Sequence, residues 1–221
     1  ALVIAMGSPT VPPQAFDAVF HLAAVGAVRE GGSASSLGGL AALYQGAPVY
    51  YPSVWHGMVA LLPGGAVEAS NAMILVVGAV AWPLGIAGLL TEALRDGPRE
   101  PAPAADSAGA RRARGRAVAL VTALAAATAG APTVLLTALA VWPYALSVVA
   151  LPGALTLVVR ARRAVAQRHG RAQAAAPAVL AVLGVTLAHG TGLFNVAVLL
   201  LPVVVGGAAK LLRRGGRTRL A

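Results

Sequence analysis

The sequence contains no cysteine and few charged residues for its length. Without cysteine there can be no disulfide, no thiolate nucleophile and no thiolate metal site. Charged residues make up only 11% of the 221 residues, whereas a soluble domain carries roughly 25%. Hydrophobic residues make up 58% and the mean hydropathy is +0.77. This composition predicts an all-α polytopic membrane protein, because helices satisfy their backbone hydrogen bonds internally within lipid.

The short motifs that mark common enzyme classes are also missing. The sequence has no P-loop, no GxSxG, no HExxH and no dinucleotide-binding fingerprint. No predicted span carries a charge in its interior, which disfavours an ion-coupled or proton-coupled transporter. The net charge of +10 does not indicate a nucleic-acid partner, because the basic residues stand beside hydrophobic runs instead of forming a separate basic domain.

The hydrophobic runs predict a transmembrane helix bundle over residues 69–210. Residues 1–6 are apolar and lead directly into a Gly-Ser-Pro segment. We therefore expect them to be the end of a truncated first span, and the chain to be a piece of a longer protein. About five full spans follow, and a basic tail occupies 211–221. The predicted spans are 68–94, 117–140, 145–159, 175–188 and 193–209.

The basic residues predict an orientation in the plasma membrane. Three predicted loops, 95–116, 160–171 and 210–219, contain 16 of the 17 Lys and Arg residues. Alternating spans place all three loops on one side, which the positive-inside rule makes cytoplasmic, together with the rest of the tail to residue 221. We expect 95–116 to be a flexible polar loop. The segment 7–68 then lies outside the cell, as do turns at Trp142-Pro143-Tyr144 and at His189.

The extracytoplasmic segment 7–68 is predicted to carry helices that lie along the membrane surface. Residues 14–30 suit an amphipathic interfacial helix, which Gly31-Gly32 would end. A structured loop follows, and Pro52 then begins a short helix at 53–62. On the first helix the predicted apolar stripe leaves Asp17, His21 and Arg29 outside it; the stripe consists of Phe16, Phe20, Ala23, Ala24 and Ala27.

Asp17 and His21 are the first candidate site residues. They are four positions apart and therefore neighbours on one helix face. A carboxylate there can act as a general base or hold a divalent metal such as Mg or Mn. The imidazole can orient the carboxylate, share the metal or bind phosphate when protonated. The same spacing also suits a simple hydrogen bond on the wet face of an interfacial helix, and spacing alone favours that simpler interpretation.

Aromatic residues and two further histidines extend the candidate site. Tyr50, Tyr51, Trp55 and His56 can line a pocket for a sugar or a lipid headgroup, and they suit an interfacial aromatic belt equally well. His189 lies at the end of a predicted span, on the same predicted side as Asp17. It can join the same cavity, although a single histidine at a helix end is more often a cap.

Three short stretches carry a resemblance to a known family. They are Phe16-Asp17-Ala-Val-Phe-His21, Tyr50-Tyr51-Pro52-Ser53-Val-Trp55-His56, and Leu187-Ala188-His189 with Leu193-Phe194-Asn195. Together they resemble a family of actinobacterial polytopic membrane proteins that is similar to GT-C-type glycosyltransferases. The resemblance covers roughly residues 1–210. GT-C enzymes take sugars from polyprenyl-phosphate donors and carry an essential acidic residue in the first extracytoplasmic loop, where Asp17 lies in the predicted topology.

The resemblance implies a role for each candidate residue. Asp17 would be the catalytic base or a metal ligand, with Mg or Mn as the metal and His21 as a second ligand. The expected partners are membrane lipids, a polyprenyl-phosphate sugar and an envelope glycan acceptor. The alternative is a non-catalytic membrane protein that binds or scaffolds envelope lipids. The donor phosphate or the metal would be bound by three histidines, His21, His56 and His189. The substrate would be bound by Tyr50, Tyr51, Trp55 and Asn195.

Overall fold

The computed structural model describes residues 2–96, 107–127, 132–167 and 171–217. Within these ranges all regular structure is helical, apart from one isolated bridge between Leu37 and Tyr50. The predicted all-α class is therefore confirmed. The α-helices are α1 (Leu2–Met6), α2 (Phe16–Gly31), α3 (Val54–Ala60), α4 (Ala66–Leu75), α5 (Trp82–Ala93), α6 (Ser107–Ala127), α7 (Trp142–Ala166), α8 (Arg171–Ala188) and α9 (Thr191–Arg217).

Two helical runs are long and apolar enough to cross a membrane. The first is Ala66–Ala93, in which α4 and α5 are joined by the π-helical turn Val76–Ala81. The second is α7. Their 28 and 25 residues correspond to roughly 42 and 38 Å of helix, against about 30 Å of hydrocarbon in a bilayer. Shorter apolar stretches occur in α8 and α9. Length and composition thus favour membrane association.

Helix α7 is the central element of the fold. It packs against α5 and α8, and also against α9. Small residues allow α5 to approach α7 closely. A Cβ atom at Gly85 would lie 3.1 Å from the backbone nitrogen of Gly153, and one at Gly88 would lie 3.3 Å from the hydroxyl of Thr156. Two apolar helices without bulky residues at their contact associate through such close packing.

The buried face of α2 differs from the predicted apolar stripe. The structure buries Ala18, His21, Ala24, Val25 and Val28, whereas Phe16 is 94% exposed. The prediction that His21 lies outside the buried face is therefore wrong. The predicted stripe was chosen around the large aromatic residues Phe16 and Phe20. In the structure α2 packs against α3 and α4 mainly through small and β-branched side chains, which permit a close approach. The predicted end of the helix is confirmed, because Gly32 adopts the left-handed conformation with φ 64°.

The basic segments are more helical than predicted. The prediction of a loop over 95–116 is wrong for residues 107–116, because α6 begins at Ser107. Residues 97–106 lie outside the described ranges. Likewise α7 continues through 160–166, and α9 continues through 210–217. Arginine and lysine are good helix formers, so the basic residues at the end of an apolar stretch do not end the helix itself.

Two further boundaries differ from prediction. Trp142-Pro143-Tyr144, predicted as a turn, forms the first turn of α7 with its proline near the start, where no amide hydrogen is needed. The predicted span 117–140 is not one α-helix over the residues that are described. Helix α6 ends at Ala127, residues 128–131 are not described, and Val134–Ala138 is π-helical.

Candidate functional site

A cavity of about 290 Å³ lies beside the first turn of α7. Four separate parts of the chain contribute to it, and we call it the Asp17 pocket. Of the residues predicted from sequence, it brings together Asp17, His21, Tyr51 and His189. The complete lining is Asp17 and His21 from α2, Tyr51 from the loop before α3, Val141, Pro143 and Tyr144 around the start of α7, and His189 from the turn before α9.

Helix α2 places both of its site residues on the pocket. Asp17 lies in the first turn, after Ala15 in an extended conformation, where a negative charge interacts favourably with the helix dipole. His21 follows one turn later on the same face. The negative charge of Asp17 favours protonation of His21, but it is not the largest influence on that imidazole.

His21, which lines the pocket, forms a buried pair with His56, which does not. His21 Nδ1 on α2 lies 3.0 Å from His56 Nε2 on α3, although the two residues are 35 positions apart in the sequence. His21 is 4% exposed and His56 is fully buried. Burial lowers the pKa of His21 to about 4, with Asp17 opposing it, and lowers the pKa of His56 to about 3, aided by the neighbouring His21. Both imidazoles are therefore neutral at physiological pH.

The surroundings of His56 decide which nitrogen carries each proton. His56 Nδ1 is buried without a hydrogen-bond partner among the described residues. A buried N–H without an acceptor is rarer in proteins than an unused acceptor, so we assign the His56 proton to Nε2. His56 then donates to His21 Nδ1, and His21 carries its own proton on Nε2. His21 therefore offers a neutral N–H donor to the pocket.

Two tryptophans form the floor beneath the histidines. The rings of Trp55 and Trp142 are stacked with centroids 5.5 Å apart, and the ring of His21 lies 5.3 Å from that of Trp142. The indole N–H of Trp142 donates to the carbonyl oxygen of Leu136 at 2.8 Å. Both tryptophans are fully buried. Trp55, predicted to bind substrate, thus lies in the core and does not line the Asp17 pocket.

The two neighbouring tyrosines lie in different environments. Tyr51 lines the pocket, with its ring 5.7 Å from that of His56. Burial raises the pKa of Tyr51 to about 12, helped by Tyr44 and Asp17, so its hydroxyl stays protonated. Tyr50 is 58% exposed and does not line the pocket. Neither does Asn195, which is half-buried on α9.

His189 both caps a helix and lines the pocket. Its Nδ1 lies 2.8 Å from the hydroxyl of Thr191 and accepts from the amide of Thr191 at 3.4 Å. Its ring contacts the edge of Tyr144, with centroids 5.4 Å apart, and burial lowers its pKa. Because Nδ1 accepts from the amide, we place the proton on Nε2. His189 is then a second neutral N–H donor.

Tyr144 and Trp142 were not among the predicted site residues, although Tyr144 lines the pocket and Trp142 packs beneath His21. Both were assigned only to an interfacial turn. The predicted topology could have indicated them, since it already placed their turn on the same side of the membrane as Asp17. Their distance in sequence from α2 concealed the contact.

The residues of the pocket do not form a protein metal site. The described part of the chain contains no group of three or more His, Cys, Asp or Glu side chains that can hold a metal ion. The pocket lining includes one carboxylate, Asp17, and Nδ1 of the adjacent His21 is engaged by His56. Mg²⁺ is commonly bound by one or two carboxylates together with waters and substrate phosphates, so of these groups the pocket itself would supply only the Asp17 carboxylate to such an ion.

Comparison with curated proteins and with solved structures gave no match. The model of one protein family does match, over residues 1–221, and that family is described as a family of unknown function. Because the match covers the whole chain, the protein belongs to this family, DUF6541.

Proposed function

We propose that this protein is a multi-pass plasma-membrane protein of the cell envelope and part of a GT-C-like glycosyltransferase. In this proposal, segment 7–68 lies outside the cell, about five spans cross the bilayer, and the basic segments face the cytoplasm. The sugar comes from a polyprenyl-phosphate donor. The observation that carries the proposal is the Asp17 pocket, where one carboxylate stands among neutral hydrogen-bond donors and aromatic rings.

The pocket has the size and chemistry of a site for a sugar hydroxyl. Small-molecule sites have volumes of about 300–1,000 Å³, so 290 Å³ suits a single sugar ring. The carboxylate accepts hydrogen bonds, and the neutral imidazoles and the hydroxyl of Tyr51 donate them. The rings of Tyr51 and Tyr144 provide apolar surface for the carbon–hydrogen faces of a sugar.

In the proposed reaction Asp17 is the general base. It takes the proton from an acceptor hydroxyl while that oxygen bonds to the anomeric carbon of the donor sugar. The bond from the anomeric carbon to the phosphate oxygen breaks, and the polyprenyl phosphate leaves with the electron pair. Attack opposite the leaving group inverts the anomeric centre. His21 and His189 orient the acceptor through their N–H groups, and His56 holds His21 in the required tautomer.

The charge of the pocket supports acceptor binding more than phosphate binding. Its described lining contains no lysine or arginine, and burial keeps His21, His56 and His189 neutral. Binding the donor phosphate through these histidines would require protonated imidazoles. We therefore assign the histidines to hydroxyl recognition, in place of the phosphate role implied by the resemblance.

The test is sugar transfer by the purified full-length protein. It would be supplied with polyprenyl-phosphate sugars and envelope glycan acceptors, with and without divalent cations. We expect Asp17→Asn to lower transfer by about 10²–10⁴-fold, the typical contribution of a general base. The matched control is Glu30→Gln, which changes an exposed carboxylate on the same helix. Equal transfer by wild type and Asp17→Asn would refute the proposal.

The second candidate function is recognition of a hydroxyl-bearing envelope lipid without chemistry. The absence of a cationic side chain from the described pocket lining favours it, because a leaving phosphate has no charged partner there. It predicts that folded wild-type protein binds glycolipid but transfers no sugar with any donor. It also predicts that Asp17→Asn weakens that binding only by the loss of one hydrogen bond, about tenfold.

A further inference from the structure

The end of α7 away from the Asp17 pocket holds a cluster of four charged side chains. Glu92 is fully buried at the end of α5. Its carboxylate accepts from Arg95 Nη1 at 3.1 Å, from Arg160 Nε at 2.8 Å and from Arg163 Nη1. Three guanidinium groups thus surround one carboxylate. The cluster carries a net charge of +2.

Part of this positive charge is open to an additional ligand. The side chains of Arg95 and Arg160 are 58% and 52% exposed. Within the described structure Arg160 contacts Glu92 through Nε alone, which leaves the forked Nη1 and Nη2 donors for another acceptor. Such a planar fork matches the geometry of a phosphate group.

An apolar groove leads away from Arg160. It lies between α5 and α7, encloses about 400 Å³ and is lined by Gly85, Gly88, Ala150, Gly153 and Leu157 among others, with Arg160 at one end. From Val149 to Arg160 the lining extends over eleven residue steps of α7, or about 16 Å of helix. That is roughly half of the 30 Å hydrocarbon core, and therefore about one leaflet deep.

We propose that this groove binds one anionic phospholipid. An acyl chain lies along the small residues of α5 and α7, and the phosphate is held by Arg160 and Arg95. The groove lies between α7 and the helical run Ala66–Ala93, which contains α5, and these are the two segments long and apolar enough to span a membrane. In this proposal its open side faces lipid. The net charge of +2 selects an anionic headgroup over a zwitterionic one, as basic pockets between membrane helices do.

This lipid is separate from the substrates of the Asp17 pocket. Seventeen residue steps along α7 separate Pro143, which lines that pocket, from Arg160. They correspond to about 26 Å of helix, which exceeds the reach of any single hydrogen-bonded site. The lipid is expected to hold α5 and α7 together instead of reacting, because a ligand that binds only the folded state stabilises it.

Native mass spectrometry of the detergent-purified full chain tests this proposal. The probes are dioleoyl phosphatidylglycerol and dioleoyl phosphatidylcholine. We expect the wild type to retain the anionic lipid at least tenfold more than the zwitterionic one. Arg160→Gln and Arg95→Gln should each lower that retention severalfold. Arg114→Gln, which removes an exposed charge from α6, is the matched control and should have no effect.

A groove variant separates the acyl chain from the headgroup. A Cβ at Gly153 would meet no described atom within 4 Å, so Gly153→Leu begins its side chain in open space of the groove and leaves all three arginines in place. We expect it to lower retention of the anionic lipid severalfold. Because Arg160→Gln can also destabilise the fold, each variant is checked by its thermal transition, and Arg95→Gln and Gly153→Leu decide the outcome if Arg160→Gln unfolds.

Four results would overturn the proposal. They are equal retention of the two lipids, an equal loss in Arg114→Gln, unchanged retention in both Arg95→Gln and Gly153→Leu, and full displacement of the lipid by millimolar glycerol phosphate. The last result would identify a site for a soluble anion. None of these measurements depends on sugar transfer, so failure here and failure of the proposed function are distinguishable.

Discussion

The two ends of α7 accommodate buried polar groups in opposite ways. At its first turn, beside Trp142, burial keeps His21 and His56 uncharged, and one hydrogen bond joins them. At its other end, Glu92 is fully buried and is held by three arginines. A buried ionisable group must either lose its charge or find a partner of opposite charge. The uncharged end retains open hydrogen-bonding groups, whereas the charged end commits its carboxylate to holding α5 and α7 together.

Removal of the charge of Glu92 is expected to have the largest effect on stability, because it breaks the ion pairs between α5 and α7. Glu92→Gln leaves Arg163, whose side chain is 23% exposed, without its carboxylate, and breaking a fully buried ion pair from one side costs about 3–5 kcal/mol of unfolding free energy. Because Arg95 and Arg160 are more than half exposed, we expect a loss at the lower end of this range, about 3 kcal/mol. Denaturation of the purified protein in mixed micelles measures the loss. Glu30→Gln is the exposed control and should change the free energy by less than about 0.5 kcal/mol. Similar small effects in both variants would show that the cluster does not join the two helices.

The stability of the folded protein should depend on pH through the buried histidines at the uncharged end of α7. Because the pKa of His56 is about 3 in the folded protein and 6.5 when unfolded, the unfolded state binds a proton that the folded state does not. Stability should therefore fall as the pH is lowered from 6.5 to 4, by about 1.4 kcal/mol per pH unit for this one residue. Unfolding measured at several pH values checks this.

The matched variant for the pH experiment is His56→Gln. Its amide can still donate a hydrogen bond to His21, but it cannot titrate. We expect its stability to fall about 3 kcal/mol less than that of the wild type between pH 6.5 and pH 4. Parallel profiles for the two proteins would mean that His56 takes up a proton as readily in the folded state as in the unfolded state between pH 6.5 and pH 4, so that burial does not lower its pKa.

The smallest expected effect concerns the cap on α9. His189→Ala removes the acceptor for the amide of Thr191, and loss of such a cap costs about 1 kcal/mol. His189→Asn keeps an acceptor near the same place and should recover most of the loss. Thermal unfolding of the two variants measures the difference. If both lose the same stability, the contribution of His189 comes from its packing against Tyr144 and not from the hydrogen bond.

Local features were predictable wherever neighbouring residues determine them. The end of α2 follows from the glycine pair at Gly31-Gly32, and the short helix α3 follows from the proline that precedes it. The predicted face of α2 was wrong because hydrophobicity alone does not reveal which side chains are small enough for close packing. The extents of α6, α7 and α9 were underestimated because charged residues were taken to end each helix.

The candidate site likewise combines a feature that follows from neighbouring residues with contacts that depend on tertiary packing. The i,i+4 spacing of Asp17 and His21 places them on one helix face without further information. Their meeting with Tyr144 and His189 depends on how α7 and α8 pack against the N-terminal segment. Likewise, the sequence does not reveal the charged cluster at Glu92, because two of its arginine partners are 68 and 71 residues away.

The amino-acid sequence is sufficient to predict the helical class, the apolar character of the long helices and the clustering of basic residues at their ends. These properties arise from composition and from contacts within a few residues along one chain. Packing between distant segments is what makes His21 and His56 a neutral pair, places Trp55 in the core and lets Glu92 join α5 to α7. The physical reason is that burial and long-range pairing set the charge state of a side chain, and neither is encoded in its immediate neighbours.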